Sequence, residues 1–574
     1  MSNKNPEIVK ILNQIADLLE IKEENPFRIR AYRRAAQALE KLSQDLEKLA
    51  AEDQLTNIEG IGHDLSSKIK EFLSTGKVKL HQDLIKQSPK GFLELMAIPS
   101  IGPRTAKLLS EKLNIKSINQ LEKYARSHKI AGLPGLKIKT EGNILKGIEF
   151  LKRTSLRTPL GAAYWIAAEI IAQLEQLPQV KGIGPAGSIR RMKETVRDID
   201  ILAASTNPRQ VMNRFVDLPL VKEILAHGST KSSVRAKEGI QIDLRVVKPA
   251  SFGAALAYFT GSKEHNIRLR KLALKKGLKI NEYGVFNLKT GKKIAGKEES
   301  EIYKILKMMF IPPEIREGTE EIEKGLKGDI PRLLEPVDIK GDLHIHSTYS
   351  DGANTIEEIA RASQAMGYEY IAICDHSKSL AVAGGLSVKR LLKKTEEIKN
   401  FNKKSKKIRI LAGAEVDILI DGSLDYKDEV LKQLDFVVAA VHTGFKQSKK
   451  EITDRIIKAM DNKYVHLIAH PTGRLMEVRD PYEIDLEKIF EAARDTNTAL
   501  EINAFPARLD LNDRNCRNAN RKGVTLIIAT DAHTISQLRN MFFGVSVARR
   551  GWLGKEDILN TLPVQQFLKK IKNN

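Results

Sequence analysis

The sequence predicts a multidomain chain: an all-α N-terminal region, an α+β middle and a C-terminal distorted α/β barrel. Three observations carry this. Glycine-centred hairpins recur between helical patterns up to about residue 155. Two apolar strands near residues 200 and 240 carry carboxylates. Beyond Asp342, strands and helices alternate roughly every 25 to 40 residues, with histidines at strand ends. A length of 574 residues is too great for one core and implies about three to five domains.

Net charge is +23, which favours a polyanionic partner, either nucleic acid or an anionic membrane. No apolar run is long enough to span a bilayer, and Met1–Glu7 lacks a signal-peptide core. The expectation is therefore a nucleic-acid partner, no membrane, and a cytoplasmic, nucleoid-associated protein. Cys374 and Cys516 are too few for a disulfide framework, which fits a reducing compartment.

In chain order, Pro6 to Leu49 is helical by its apolar spacing, broken at Asn25-Pro26-Phe27. Arg28, Arg30, Arg33 and Arg34 make the second helix basic, either a phosphate face or a solvated one. Three short repeats follow: Ile58-Glu59-Gly60-Ile61-Gly62, Ile98-Pro99-Ser100-Ile101-Gly102 and Leu133-Pro134-Gly135-Leu136-Lys137. Each resembles a helix-hairpin-helix, in which Gly60, Gly62 and Gly102 let backbone N–H groups grip a DNA phosphate without reading bases. Lys137 makes the third copy degenerate, more structural than binding. Gly182-Ile183-Gly184-Pro185 reads as a plain loop.

The middle is organised around Gly187-Ser188-Ile189-Arg190-Arg191 and Asp198-Ile199-Asp200-Ile201-Leu202. Residues i and i+2 of a strand face the same way, so Asp198 and Asp200 point together. A second strand, Ile240–Leu244, brings Asp243. Three converging carboxylates call for a hard cation, and Mg²⁺ is commonly shared between carboxylates and substrate phosphates. Two such ions can activate an attacking oxygen and stabilise a leaving one. Gly187-Ser188 offers a turn for phosphate oxygens, and Arg190 and Arg191 add guanidinium forks.

This pattern resembles the nucleotidyltransferase palm of the family X DNA polymerases, in detail the bacterial and archaeal members with a second, C-terminal domain. The resemblance implies that Asp198, Asp200 and Asp243 are catalytic and hold two Mg²⁺ ions with a dNTP. It places Gly187, Ser188, Arg191 and Arg157 at the triphosphate. The stretch Tyr258-Phe259-Thr260-Gly261-Ser262 resembles the family's sugar-selecting segment, while Asn266 and Arg270 match contacts to nucleotide and template. The turn His227–Ser233 would position primer or template backbone. The first 155 residues resemble the family's lyase and fingers regions. There Lys68 falls on the Schiff-base position and Tyr32 on the same pocket. Asp64 stands where a basic residue is usual and Phe27 replaces a histidine, so lyase activity stays open.

Seven of the twelve histidines lie beyond Asp342. His344, His346, Asp351, His376, Glu415, His442, His470, Asp531 and His533 sit near predicted strand ends, where such barrels carry catalytic groups. These donors exceed what one ion takes. They call for two or three, and imidazole favours Mn²⁺, Zn²⁺ or Fe²⁺ over Mg²⁺. The set resembles the polymerase-and-histidinol-phosphatase (PHP) domain with all expected ligand positions filled, which implies an active hydrolase. His466 reads as a core histidine. Arg474 and Arg508 hold a phosphate of a DNA end or lie on the surface.

The expected domains are 1–85 (helix-hairpin-helix, lyase-like), 86–155 (fingers-like), 156–250 (palm), 251–319 (thumb-like), 320–340 (linker) and 341–574 (PHP). The implied function is gap filling in DNA repair by a monomer acting on gapped or primer–template DNA, coupled to a 3′–5′ exonuclease or 3′-end phosphodiesterase. The alternatives are a PHP domain acting on small phosphate esters, and a non-catalytic scaffold that binds DNA ends.

Overall fold

The computed structural model describes residues 5–40, 46–58, 60–98, 101–154 and 157–572. Lys41–Asp45 of the predicted helical stretch, Glu59, Pro99 and Ser100 of the hairpin motifs, and the boundary pair Ser155–Leu156 lie outside the described residues. The chain divides into an N-terminal helical unit and a second unit holding palm, thumb and barrel. Among the described residues, no helix is long and apolar enough to cross a membrane.

In the helical unit, Asn5–Ile21 packs on Pro26–Glu40. Ile8, Leu12, Ile15 and Leu19 share a core with Tyr32, Ala35, Ala36 and Leu39. The second helix starts on Pro26, whose fixed φ suits a first helical position. The three hairpins share one turn: Ile61 N donates to Ile58 O (3.0 Å), Ile101 N to Ile98 O (2.9 Å) and Leu136 N to Leu133 O (3.0 Å). Gly62 and Gly102 cap the helices His63–Thr75 and Pro103–Leu113. The third copy keeps the turn although Lys137 replaces the second glycine, because Gly135 supplies the left-handed residue (φ 78°).

The second unit opens with β1 (Thr158–Pro159), followed by β2 (Val180–Pro185), β3 (Thr195–Val196), β4 (Asp198–Ser205), β5 (Val221–His227), β6 (Lys231–Ala236) and β7 (Gln241–Val247). β1 pairs with β3, and the other five form a sheet of order β2-β4-β7-β6-β5. Gly182–Pro185 is thus strand, not loop: β2 runs antiparallel to β4 as an edge, where Pro185 costs no central hydrogen bond. The thumb adds β8 (Leu278–Asn281), β9 (Gly284–Asn287) and β10 (Lys293–Ala295).

The barrel consists of β11 (Gly341–Ile345), β12 (Tyr370–Ile373), β13 (Arg409–Asp417), β14 (Phe436–Ala440), β15 (Leu467–Ile468), β16 (Ala499–Asn503) and β17 (Leu526–Ala529), parallel and in sequential order. Ile345 bridges Ala532 in parallel, nearly closing the sheet. These strands are almost wholly buried, as a sheet covered on both faces requires. The stretch expected as a partly ordered linker packs against its neighbours. Ile330, Leu333 and Leu334 are buried, and Arg549 donates to Leu334 O (2.8 Å), Glu335 (2.7 Å) and Glu314 (2.8 Å).

Candidate active sites

In the palm, β4 and β7 are parallel neighbours with Asp200 opposite Asp243 and Asp198 opposite Gln241. The turn before β4 is drawn onto it: Ala186 N donates to Asp200 O at 2.8 Å. A Cβ on Gly187 would stand 2.1 Å from Asp200 Oδ2, and its φ is 57°, so only glycine fits here. Burial, then Asp198 and Asp243, push the Asp200 carboxyl up to about 6. Burial and Asp243 also raise Asp198. For Asp243 burial is outweighed by hydrogen bonds from Gln241 and Ser233 and by Lys231, so its pKa falls. Lys231 Nζ stands 3.3 Å from Asp243 Oδ2.

The two palm arginines part company. Arg191 donates to Thr260 O and stands 3.4 Å from Glu317. Arg190 is clamped by Glu299 (2.9 and 2.7 Å) and Thr260 (2.6 Å), and Glu299 also takes Arg316 at 2.6 Å. Arg190 is therefore a palm–thumb tie rather than a free phosphate fork. Arg157 donates to Thr195 Oγ1 at 2.7 Å and to Thr195 O. Tyr258 and Phe259 end the helix Phe252–Thr260 with rings edge-to-face at 5.1 Å, and Arg245 lies 4.6 Å over Phe259. Gly261 approaches Arg191: a Cβ there would stand 3.2 Å from Arg191 Nη1. Asn266 donates to Tyr258 O (2.7 Å), and Arg270 to Asn266 O (3.3 Å). The segment His227–Ser233 is the β5–β6 hairpin, with His227 Nδ1 3.1 Å from Ser232 Oγ. In the helical unit Lys68 is paired with Asp64, one turn earlier.

In the barrel, parallel strands bring all their C-terminal ends to one rim, where the donors gather. Glu415 is the hub. Its Oε2 is 2.7 Å from His376 Nδ1, 3.5 Å from His344 Nε2 and 3.7 Å from His346 Nε2; its Oε1 is 3.2 Å from His470 and 3.3 Å from His442. Asp531 Oδ1 stands 3.2 Å from His346 and 3.8 Å from His344. Three donor groups each have ligand atoms within 4.8 Å of one another: His346, Asp351, His376 and His533; His344, His346 and Asp531; His376, Glu415 and His442. His344 Nε2 and Glu415 Oε2 are buried without a hydrogen-bond partner, an arrangement that costs stability unless a cation is bound. Imidazole and carboxylate donors in overlapping sets fit two or three divalent ions. His470 (φ 30°) and Asp531 (φ 53°) hold left-handed backbone that non-glycine residues rarely adopt.

Electrostatics here run opposite to the palm. Burial would raise Glu415, but His442, His376 and His344 hold it well below the usual range, and His344, His346 and His533 do the same for Asp531. Burial would lower His344, but Glu415, Glu501 and Asp531 raise it well above its ordinary value. His442 rises to about 9, burial being outweighed by Glu415 and Asp417. Burial and Arg508 press His470 down to about 3.

Sequence reasoning missed an outer ring. Glu501 accepts from His344 Nδ1 (2.8 Å) and from His470 N (2.6 Å). Asp417 takes His442 Nδ1, and Asn503 donates to Glu501 (3.0 Å) and Asp531 (3.3 Å). The available signal was an acid within an otherwise apolar buried strand. Arg474 is buried rather than on the open surface: it donates to Arg508 O (2.7 Å), Leu509 O and Glu194 (2.9 Å). Arg508 Nε stands 3.5 Å from Asp531, and its Nη1 is buried without a hydrogen-bond partner. His466 is a core histidine, accepting from Val437 N at 3.0 Å.

An acid cluster beside a glycine turn and a histidine-rich barrel rim are donor sets of the kind that metal-dependent enzymes use on phosphates. Residues 3–78 match a helix-hairpin-helix domain, 92–149 a SAM-like helix-hairpin-helix tandem, 255–317 the DNA polymerase beta thumb, and 342–505 the PHP domain. The DNA polymerase/3′-5′ exonuclease PolX of Bacillus subtilis (strain 168) is 42% identical over 569 residues, covering 98% of this chain and 99% of that protein. A probable phosphatase of Thermoanaerobacter sp. (strain X514) is 30% identical over 244 residues, 40% of this chain and 95% of the phosphatase. One from Acetivibrio thermocellus is 31% identical over 202 residues, 33% of this chain and 78% of that protein. The chain belongs to the family X DNA polymerases that carry a C-terminal PHP domain.

Proposed function

We propose that this chain is a DNA-directed DNA polymerase that fills short gaps in repair and trims 3′ ends with its PHP domain, acting as a cytoplasmic, nucleoid-associated monomer. One observation supports the reading: one chain carries both the carboxylates Asp198, Asp200 and Asp243 on the neighbouring strands β4 and β7 and a histidine-rich rim around Glu415 whose ligand atoms, in three overlapping groups, already stand within 4.8 Å of one another.

In the palm, Asp198, Asp200 and Asp243 hold two Mg²⁺ with an incoming dNTP. In the barrel, His344, His346, Asp351, His376, Glu415, His442, His470, Asp531 and His533 hold two or three Mn²⁺, Zn²⁺ or Fe²⁺ ions. When bound, such ions supply Lewis-acid polarisation of phosphate oxygens and ease deprotonation of the attacking oxygen. The chain's own groups do the rest. Ser188, the Gly187 backbone and the Arg191 fork bind the triphosphate, with Arg157 beside them. Tyr258, Phe259 and Gly261 floor the sugar, and Asn266 and Arg270 line the base side. Arg508, with an unpaired buried N–H group beside Asp531, offers that donor to the phosphate being cleaved. Glu501 and Asp417 fix the His344 and His442 rings, as outer partners of ligand histidines do. Gly60, Gly62 and Gly102 let the hairpins grip DNA backbone. Lys68 is the candidate lyase nucleophile only if Asp64 releases it.

The test uses Asp198→Ala and His344→Ala on a labelled primer–template with dNTPs and Mn²⁺. Asp198→Ala should lose extension and keep 3′ shortening; His344→Ala should do the reverse. Loss of both activities in either variant defeats the two-centre reading. The phosphatase relatives favour a second reading, in which the barrel hydrolyses small phosphate monoesters. It is preferred if His344-dependent phosphate release from a small monoester outpaces strand shortening. A scaffold reading requires both activities to be absent.

A further inference from the structure

A third feature belongs to neither donor set. The palm, thumb and barrel meet at an open cleft of about 650 Å³ lined by Lys193, Glu317, Thr319, Arg550, Trp552 and the helix Asp513–Arg521. On that helix Arg514, Arg517 and Arg521 are spaced by three and four residues and so share one face, while Cys516 and Ala519 are buried. The acids in the cleft are already engaged. Arg550 takes both Glu317 (3.0 Å) and Asp513 (2.6 Å). Glu320 pairs with Arg517 and lies 3.6 Å from Arg521. Arg514 has no ion-pair partner among the described residues. Lys193 Nζ stands 3.6 Å from Glu317, and burial, then Arg550, hold its pKa below the ordinary value.

We propose that this cleft holds the sugar–phosphate backbone of a single DNA strand. The proposal rests on the polymerase–nuclease reading above. A space of about 650 Å³ is in the small-molecule range, which suits a short length of one strand rather than a duplex. From Arg514 to Arg521 the helix rises about 10 Å, longer than a single phosphate group, so the row suits neighbouring phosphates of a strand better than one small anion. Recognition is independent of sequence. The Trp552 ring of the lining is already stacked by Arg517 (4.6 Å) and approached by Lys324 (5.8 Å).

The test is binding of the full chain to fluorescent oligo-dT across a salt series in EDTA, so that no strand is shortened. Each phosphate contact on a single strand contributes about 0.7 to the salt slope. Arg514→Glu with Arg521→Glu should therefore lower the slope by about 1.4 and weaken binding roughly fivefold or more. Arg514→Gln with Arg521→Gln should lower the slope equally and guards against misfolding by charge reversal. Lys399→Glu with Lys403→Glu, an exposed basic pair elsewhere on the barrel, should change neither. An unchanged slope in both cleft variants overturns the proposal, as does an equal loss in the Lys399/Lys403 control. So does displacement of oligo-dT by inorganic triphosphate as readily as by a second oligonucleotide, which would make this a small-anion site. Because the assay reads binding alone, failure here leaves primer extension and Mn²⁺-dependent shortening intact, whereas failure of the two-centre reading abolishes one of those.

Discussion

The palm and the barrel rim both gather carboxylates, yet they settle the repulsion differently. In the palm, Asp198 and Asp200 face further carboxylates and both are raised, Asp200 to about 6. At the rim, Glu415 and Asp531 face imidazoles and are held well below their usual range. On the proposed reading, the palm acids would therefore be relieved by cations arriving with the nucleotide's phosphates. The rim carries its own counter-charge, and an entering metal must displace protons from His344 and His442. Metal loading of the rim should therefore weaken more steeply on acidification than loading of the palm. Calorimetric Mn²⁺ titrations of His344→Ala and Asp198→Ala at pH 8 and pH 6 measure the two slopes, and equal slopes would break the contrast.

The largest expected effect comes from the hub. Glu415→Gln removes the charge that faces five imidazoles and should cut 3′ shortening by about 1,000-fold, the scale of losing one member of a catalytic set. Primer extension should persist. Next comes the tie that holds palm to thumb. Burial alone would raise Glu299, but Arg316 and Arg190 hold it at about 2. Its folded pKa lies below the unfolded value of 4.5, so its stabilisation is present above pH 4.5 and lost as pH falls through 2. Glu299→Gln leaves the buried Arg316 and the half-buried Arg190 short of a charge and should cost about 3–5 kcal/mol in urea melts at neutral pH. The variant should also shed the acid-labile part of that stability, and an unaltered acid dependence would refute the clamp.

These contrasts were only partly legible in the chain. Asp198 and Asp200 stood out because they follow the Gly187-Ser188 turn and the Arg190-Arg191 pair and are joined by Asp243 on a second apolar strand, and the His-x-His and Asp-x-His pairs stood out at strand ends. Glu501 did not. On a strand buried on both faces an acid cannot be assigned to the rim or the core by periodicity, and its role depends on His344, more than 150 residues away. Arg190 and Arg191 look alike in sequence, and only the thumb's Glu299 and Glu317 separate them. The stretch from 320 to 340 read as a linker from its prolines and glycines, whereas its buried leucines and Arg549 make it part of the core.

Asp200→Asn tests the palm half of the contrast with the opposite sign. Its folded pKa, about 6, lies above the unfolded 3.8, so the native state loses stability as pH rises from 3.8 to 6 and stays without it above. In chelator at pH 7.5 the variant should melt higher, by about 1–2 kcal/mol, while losing extension. Adding Mg²⁺ should narrow the gap. A variant less stable than the parent in chelator would mean that the palm acids are not in conflict.

The smallest expected effect asks whether the two regions are independent at all. Arg550, on the barrel helix Met541–Arg550, donates to Arg191 O (2.6 Å), Glu314 O (3.1 Å), Glu317 Oε1 (3.0 Å) and Asp513 (2.6 Å). The same Glu317 oxygen stands 3.4 Å from Arg191 Nε, so a barrel residue competes for the partner of the palm arginine assigned to the triphosphate. A lysine cannot span Asp513 and the palm turn as a planar fork does. In Arg550→Lys, Glu317 is freed to draw the Arg191 guanidinium away from incoming phosphates. The KM for dNTP should rise about two- to fivefold, on the scale of one weakened charge-assisted bond, with kcat and 3′ shortening little changed. A loss of kcat and of shortening in equal proportion would instead report general loosening of the fold. The barrel would then be a neighbour of the polymerase rather than part of its nucleotide site.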